Sequence, residues 1–192
     1  MVQIKSLCNK WMTIEDLLNY FGTPANWKYK KQQYESLREI GDGELWTSGR
    51  HNHIWIQDIF QTVTNGLISI GGQGRKNPDL FLNDPASPEP LRIEVKGFDK
   101  KDKIRVSASK FFASNGGMTE LAECKTSAER DALVRSHYHD DYYLLTKSNG
   151  NSIKALTRVE DMEFFLIKTD EMIPLLKDSN SVPSSILDLS EV

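Results

Sequence analysis

The chain of 192 residues and 21.9 kDa carries 24 Lys and Arg against 27 Asp and Glu, a formal net charge of -3, with 39% hydrophobic and 27% charged residues. That length and composition suit one ordinary core with room for an appendage, and they exclude a collagenous or wholly disordered chain. The charge excludes a uniformly basic nucleic-acid binder, so any phosphate partner must be met by a local basic surface or through a bound metal.

The longest apolar runs, Tyr142 to Leu145 and Phe164 to Ile167, fall far short of the roughly 20 residues of a membrane span. The first eight residues lack the charged start, long apolar stretch and cleavage site of a secretory leader, so a soluble cytoplasmic protein is expected. Cys8 and Cys124 are too few for a zinc cage or a disulfide framework and read as reduced structural thiols.

In chain order, Thr13 opens a short helix with Ile14, Leu17, Leu18 and Phe21 on one side, Glu15 and Asp16 in its first turn and Gly22 to stop it. Trp27 to Ile40 reads as a second amphipathic helix with a basic face, and residues 52 to 65 as a third, apolar at Ile54, Trp55, Ile56, Ile59, Phe60 and Val63. Short β-type runs follow at Leu67 to Ile70, Asp79 to Leu82 and Leu91 to Phe98. The first two are separated by the Gly71-Gly72-Gln73-Gly74 break, the last two by a hairpin turn with three prolines. Ile104 to Val106 extends the sheet on this reading, and Ser107 to Phe112 and Thr126 to His137 are helical, Thr126 and Glu129 having capping-box spacing. Tyr142 to Thr146 is a continuous apolar strand, Ser148 to Asn151 a turn, and Ser152 to Leu156 a returning segment. Beyond Ile167 the chain is acidic and rich in Ser and Pro, and a poorly packed tail is expected.

Chemistry concentrates in Asn77-Pro78-Asp79-Leu80-Phe81-Leu82 and, with fourteen residues between Asp79 and Glu94, in Glu94-Val95-Lys96-Gly97. Strand alternation puts Glu94 and Lys96 on one face about 7 Å apart while Ile93 and Val95 point to the core. If Asp79 occupies the matching position of an adjacent strand, its carboxylate and that of Glu94 converge on a hard divalent cation, with the Val95 carbonyl as a further oxygen ligand. An ammonium beside them can orient and help deprotonate an attacking water, while the metal neutralises a phosphate and its leaving oxygen.

Pro78-Asp79 followed by Glu94-Val95-Lys96 resembles the signature of the PD-(D/E)xK nucleases, which include most type II restriction endonucleases. The order of elements, from the helix at 52 to 65 through the Pro-Asp strand, turn, Glu-x-Lys strand and a later apolar strand, follows that family's core. Residues 50 to 166 are loosely similar in pattern to the small blunt-cutting enzymes of the PvuII type, including Tyr142 to Leu145 and Ala155 to Phe165. The resemblance implies Mg²⁺-dependent hydrolysis of double-stranded DNA leaving 5′-phosphates, with Asp79 and Glu94 as metal ligands, Lys96 as the catalytic lysine and a symmetric homodimer. Some members carry an additional acid before the Pro-Asp strand, where this chain has Arg75 and Lys76. Glu35, Glu44 and Asp58 are candidates for a further acid, Asp58 being favoured because its helix leads directly into the sheet.

DNA contact is expected from Lys96 onward, where Lys96, Lys100, Lys101, Lys103, Arg105 and Lys110 stand against Asp99 and Asp102. Ser107, Ser109 and Asn115 are candidate partners for phosphates or base edges. His137 and His139, beside Asp140 and Asp141, read as a surface turn for want of a third spaced ligand. The first two helices also read as a helix-turn-helix with Trp27, Lys28, Tyr29, Lys30 and Gln32 as readers, or as a plain helical pair forming a dimer surface.

The expectation is thus an α/β protein with a restriction-endonuclease-like central mixed β-sheet flanked by helices and a helical N-terminal segment. Residues 1–168 form a single nuclease domain, with 10–50 a helical dimerisation or DNA-contact segment and 51–168 the catalytic core; 169–192 are an acidic tail. The expected partners are double-stranded DNA and a second copy, with no membrane and no nucleotide cofactor. The alternatives are a repair or recombination nuclease with the same centre, or a non-enzymatic helix-turn-helix regulator in which the Asp79, Glu94, Lys96 pattern is accidental.

Overall fold

Strand β1 (Trp11–Thr13) runs straight into helix α1 (Ile14–Phe21), and Thr13 serves both. Its hydroxyl accepts from the Asp16 amide at 3.1 Å, while Asp16 Oδ2 accepts from the Thr13 amide at 2.7 Å, a reciprocal capping box. These hydrogen bonds from Thr13, backbone first and side chain second, hold the Asp16 carboxyl below its ordinary value. A group whose pKa is depressed by folding stabilises above its unfolded value and loses that contribution as pH falls through the folded one. Asp16→Ala is therefore expected to cost about 1 kcal/mol in urea unfolding at neutral pH. The difference from wild type should shrink below the unfolded carboxyl value of 3.8.

The computed structural model describes residues 4–40, 49–71, 78–97, 103–107, 123–126, 128–129, 132–133, 140–148, 158–178 and 184–189. Helix α2 (Trp27–Ile40) turns Trp27 and Tyr34 into the core. Helix α3 (Gly49–Val63) buries Ile56, Ile59, Phe60 and Val63, the helical spacing that the sequence displays. Its exit is a left-handed turn, with Asn65 at φ 52° and Gly66 at φ 77°. The Asn65 side chain donates to the carbonyls of Phe21 and Gly22 at 3.1 and 3.2 Å, so the turn that ends α3 also satisfies the last carbonyls of α1.

Strands β2 (Ile68–Ile70), β3 (Leu80–Leu82), β4 (Leu91–Gly97), β6 (Tyr142–Ser148) and β7 (Met162–Lys168) join β1 in one mixed sheet of order β1-β7-β6-β4-β3-β2. Only the central β4–β6 pair in it is parallel. One sheet face carries Ile68, Leu80, Leu82, Ile93, Val95, Tyr142, Leu144, Phe164 and Leu166 and forms the main core with the three helices. Phe60 of α3 meets Phe164 of β7 with ring centroids 5.1 Å apart. Beneath the other face Tyr143, Leu145, Phe165 and Ile167 form a second apolar cluster with Met172 and Leu189. The mixed α/β architecture expected from sequence is observed, and among the described residues no helix is long and apolar enough to cross a membrane.

The structure differs from expectation in four places. Strand β5 (Lys103–Ser107) does not extend the central sheet; it pairs with β9 (Ser184–Asp188), which pairs with β8 (Leu176–Asp178), in a separate three-stranded sheet. Ser107 accordingly ends a strand rather than opening a helix. Residues 169–178 and 184–189 are not a poorly packed tail: Thr169–Met172 forms a short helix, α4, with Met172 buried, and Leu189 closes the second cluster. Finally, two of the five residues expected as readers on α2 are engaged within the fold, Trp27 in the core and Lys30 at 3.3 Å from Asp58, while Lys28, Tyr29 and Gln32 are exposed.

Candidate functional site

The alternation in Leu91-Arg92-Ile93-Glu94-Val95-Lys96 produces the arrangement expected of it. Ile93 and Val95 are fully buried, and Glu94 and Lys96 share the opposite face, 15% and 13% exposed, with the Lys96 ammonium donating to Glu94 Oε1. Along the neighbouring strand Glu94 is in register with Tyr143 and Lys96 with Leu145, both fully buried. The ion pair thus has an apolar flank, which lowers the local dielectric and strengthens its field.

Asp79 reaches the same place from a different direction. The β3–β4 ladder stops at the Leu80–Ile93 pair, and Asp79, one residue before β3, uses its carboxylate where a strand carbonyl would have continued the pairing. Its Oδ2 accepts from the Val95 amide at 2.8 Å and its Oδ1 from Gln57 Nε2 of α3 at 3.3 Å. Gly71 anchors the backbone here by donating to the Asp79 carbonyl at 2.8 Å. A Cβ on Gly71 would stand 1.9 Å from the Pro78 carbonyl oxygen, so only glycine fits this crossing.

The structure therefore brings Asp79, Glu94, Lys96 and the Val95 backbone to one end of the β3–β4 pair. It does not bring Asp58 there. Asp58 accepts from the Tyr34 hydroxyl at 2.6 Å and from Lys30 at 3.3 Å, facing α2, while the preceding residue, Gln57, faces Asp79. A step of one residue on a helix turns the side chain by about 100°. Glu35 accepts from the Val159 amide at 3.2 Å, and Glu44 lies outside the described residues. So do Arg75, Lys76, Lys100, Lys101, Ser109, Lys110, Asn115, His137 and His139; Lys103, Arg105 and Ser107 are placed by backbone alone, in β5.

No family model, curated protein or solved structure matches this chain.

Sequence reasoning missed two neighbours of the site. Gln57 carries no charge and stands beside Asp58, the more conspicuous candidate on the same helix, so nothing in its surroundings flags it. Asp140, passed over as part of a surface turn, is buried at the head of β6, where its Oδ1 accepts from Arg92 Nε at 3.2 Å. Burial pushes the Asp140 carboxyl above its ordinary value, the Glu94 charge adds to the rise, and Arg92 and Lys96 oppose it. The expected capping pair at Thr126 and Glu129 is present, the Thr126 hydroxyl accepting from the Glu129 amide at 3.2 Å.

The donor set suits a hard dication. It consists of two carboxylates and a peptide carbonyl, all oxygen, with no soft ligand to favour a transition metal. Among the described residues no group of three or more His, Cys, Asp or Glu gathers in a way that could hold a metal ion.

Proposed function

We propose that this protein is a Mg²⁺-dependent endodeoxyribonuclease of the type II restriction kind, hydrolysing phosphodiester bonds of duplex DNA to leave 5′-phosphates. The reading rests on one observation: Asp79 accepts at 2.8 Å from the amide of Val95, the residue between Glu94 and Lys96, which share one face of the same strand as an ion pair. Three residues separated by up to seventeen positions thereby act from one end of one strand pair. The resemblance to the PD-(D/E)xK signature supplies the substrate class.

Asp79 and Glu94 would hold the cation, with the Val95 carbonyl beside them, and the bound ion would supply neutralisation of the phosphate and the leaving oxygen. The chain's own contributions are positional. The Val95 amide and Gln57 hold both oxygens of Asp79, which fixes its carboxylate before substrate arrives. Lys96, held by Glu94, presents an ammonium whose remaining N–H groups can orient a water and stabilise its deprotonated form. The apolar flank at Tyr143 and Leu145 limits solvent on one side of the pair.

Incubating the purified protein with supercoiled plasmid separates the readings. Discrete fragments that need Mg²⁺ and vanish with chelator are expected. Preferential cutting of flaps or junctions would favour a repair nuclease, and binding without any cleavage would favour a regulator.

A further inference from the structure

The open face of β4 carries a third charge that the catalytic reading leaves unused. Arg92 follows the same two-residue period as Glu94 and Lys96, so it emerges on their side of the strand, about 7 Å from Glu94. A guanidinium on so long a stem reaches that far, and guanidinium and carboxylate pair strongly, often through two hydrogen bonds. In this structure Arg92 turns to Asp140 instead, Nε to Oδ1 at 3.2 Å, and the Asp140 side chain is only 4% exposed.

Asp140 is itself fixed from two sides. The Thr169 hydroxyl of α4 donates to its carbonyl. The next residue, Asp141, accepts the Arg92 amide through Oδ2 at 2.7 Å, donates its own amide to the Arg92 carbonyl at 2.9 Å, and takes the Thr169 amide on its carbonyl at 3.0 Å. The head of β6 is thus laced to β4 and to α4, which fixes the backbone that carries the Asp140 carboxylate. A buried ion pair contributes little net stability compared with apolar groups of the same shape, so stability is a poor reason for this one.

We propose that Asp140 is a positioning residue: by holding Arg92 it keeps the guanidinium off Glu94 and reserves that carboxylate for Lys96 and a divalent cation. The functional consequence rests on the reading of Glu94 as a cation ligand; the reservation of Glu94 does not. Four charges then alternate in sign along the site, Asp140, Arg92, Glu94 and Lys96. Removing the first transfers the second to the third.

Asp140→Asn tests this with two readouts. A crystal structure of the metal-free variant is expected to show Arg92 turned onto Glu94, and a guanidinium that stays beside residue 140 overturns the proposal whatever the protein does to DNA. Titration of the intact protein with Mn²⁺, followed by the paramagnetic resonance of the free ion, is expected to show binding weakened by about 10- to 100-fold. Arg92→Met combined with Asp140→Asn removes the competing guanidinium and should restore affinity to within about threefold of wild type. A double variant that binds as weakly as the single overturns the proposal. Asp140→Ser, smaller and also neutral, takes the place of Asp140→Asn in both readouts if the latter does not fold. Wild-type protein that neither binds Mn²⁺ nor cuts DNA would sink the reading of the site as a nuclease centre, and the Arg92 position in Asp140→Asn would still judge the reservation of Glu94.

Discussion

Lys96→Ala and Glu94→Gln are each expected to lower Mg²⁺-dependent cleavage of plasmid DNA by about 10²- to 10⁴-fold, the range removed when a positioned proton-transfer or charge-stabilising group is deleted. The two losses have different origins. Lys96→Ala removes the ammonium that would orient and acidify the attacking water but leaves both carboxylates, so cation binding should persist. Glu94→Gln removes one of two anionic ligands and at the same time frees Lys96 from its partner. Cation affinity should fall with activity. Neither substitution touches the main core, since Ile93 and Val95 carry the buried side of the strand. Near-wild-type unfolding midpoints in both variants would locate the defect in chemistry. Cleavage that survives both substitutions would show that the Asp79, Glu94, Lys96 arrangement is not the catalytic centre.

The second large effect concerns a residue with no side chain. Gly71→Ala would drive a Cβ to 1.9 Å from the Pro78 carbonyl oxygen and 2.9 Å from that of Asp79, both backbone atoms that no rotamer change can move. Overpacking of this kind costs about 1–3 kcal/mol. In a chain of this size that corresponds to a fall of very roughly 2–12 °C in thermal midpoint. The larger consequence is geometric. The strand crossing would open, the Gly71 amide would lose its bond to the Asp79 carbonyl, and Asp79 would leave the Val95 amide. A displacement of about 1 Å at a reacting centre can cost on the order of 100-fold in rate. Gly66→Ala is the matched control. Its φ of +77° makes alanine strained, yet nothing lies within 4 Å of the added carbon. It should cost about 1 kcal/mol and leave cleavage unchanged relative to the folded fraction. Equal cleavage losses in the two variants would show that Gly71 has no special part in placing Asp79.

Much of the scaffold was legible because its signals are local. The capped start of α1, the apolar spacing of α3, the proline turn between β3 and β4 and the alternation of β4 all follow from a few neighbouring residues. What escaped depends on distant partners. Met162–Lys168 is buried on both faces in β7, so it lacks the alternation that marks a half-exposed strand. Ser184–Asp188 resembles a polar tail until β5 supplies its ladder from eighty residues away. At the site, Glu94 and Lys96 were readable from the period of their own strand. Gln57 and Asp140 were not, because each becomes a neighbour of the site only through tertiary packing of α3 and β6. Asp58 illustrates the converse: a charge in the right helix, turned toward Tyr34 and Lys30 by the helical step.

The pairing of β1 with β7 sets an order on assembly. During synthesis the β3–β4 hairpin, carrying Asp79, Glu94 and Lys96, can form from a short contiguous stretch, because its ladder is local. Strand β4 must then wait for β6 to supply its parallel neighbour, and Trp11–Thr13 must wait for the much later Met162–Lys168 before it finds its ladder partner. Contacts of such long sequence separation carry a high loop-closure cost and form late. Asp140, Asp141 and Thr169 come later in the chain than β4, so Arg92 meets its buried partner only once those segments have been made and packed. On the proposed chemistry, a partly made chain would carry the cation ligands but not the arrangement that keeps Glu94 available, and competence would arrive together with the closing strand.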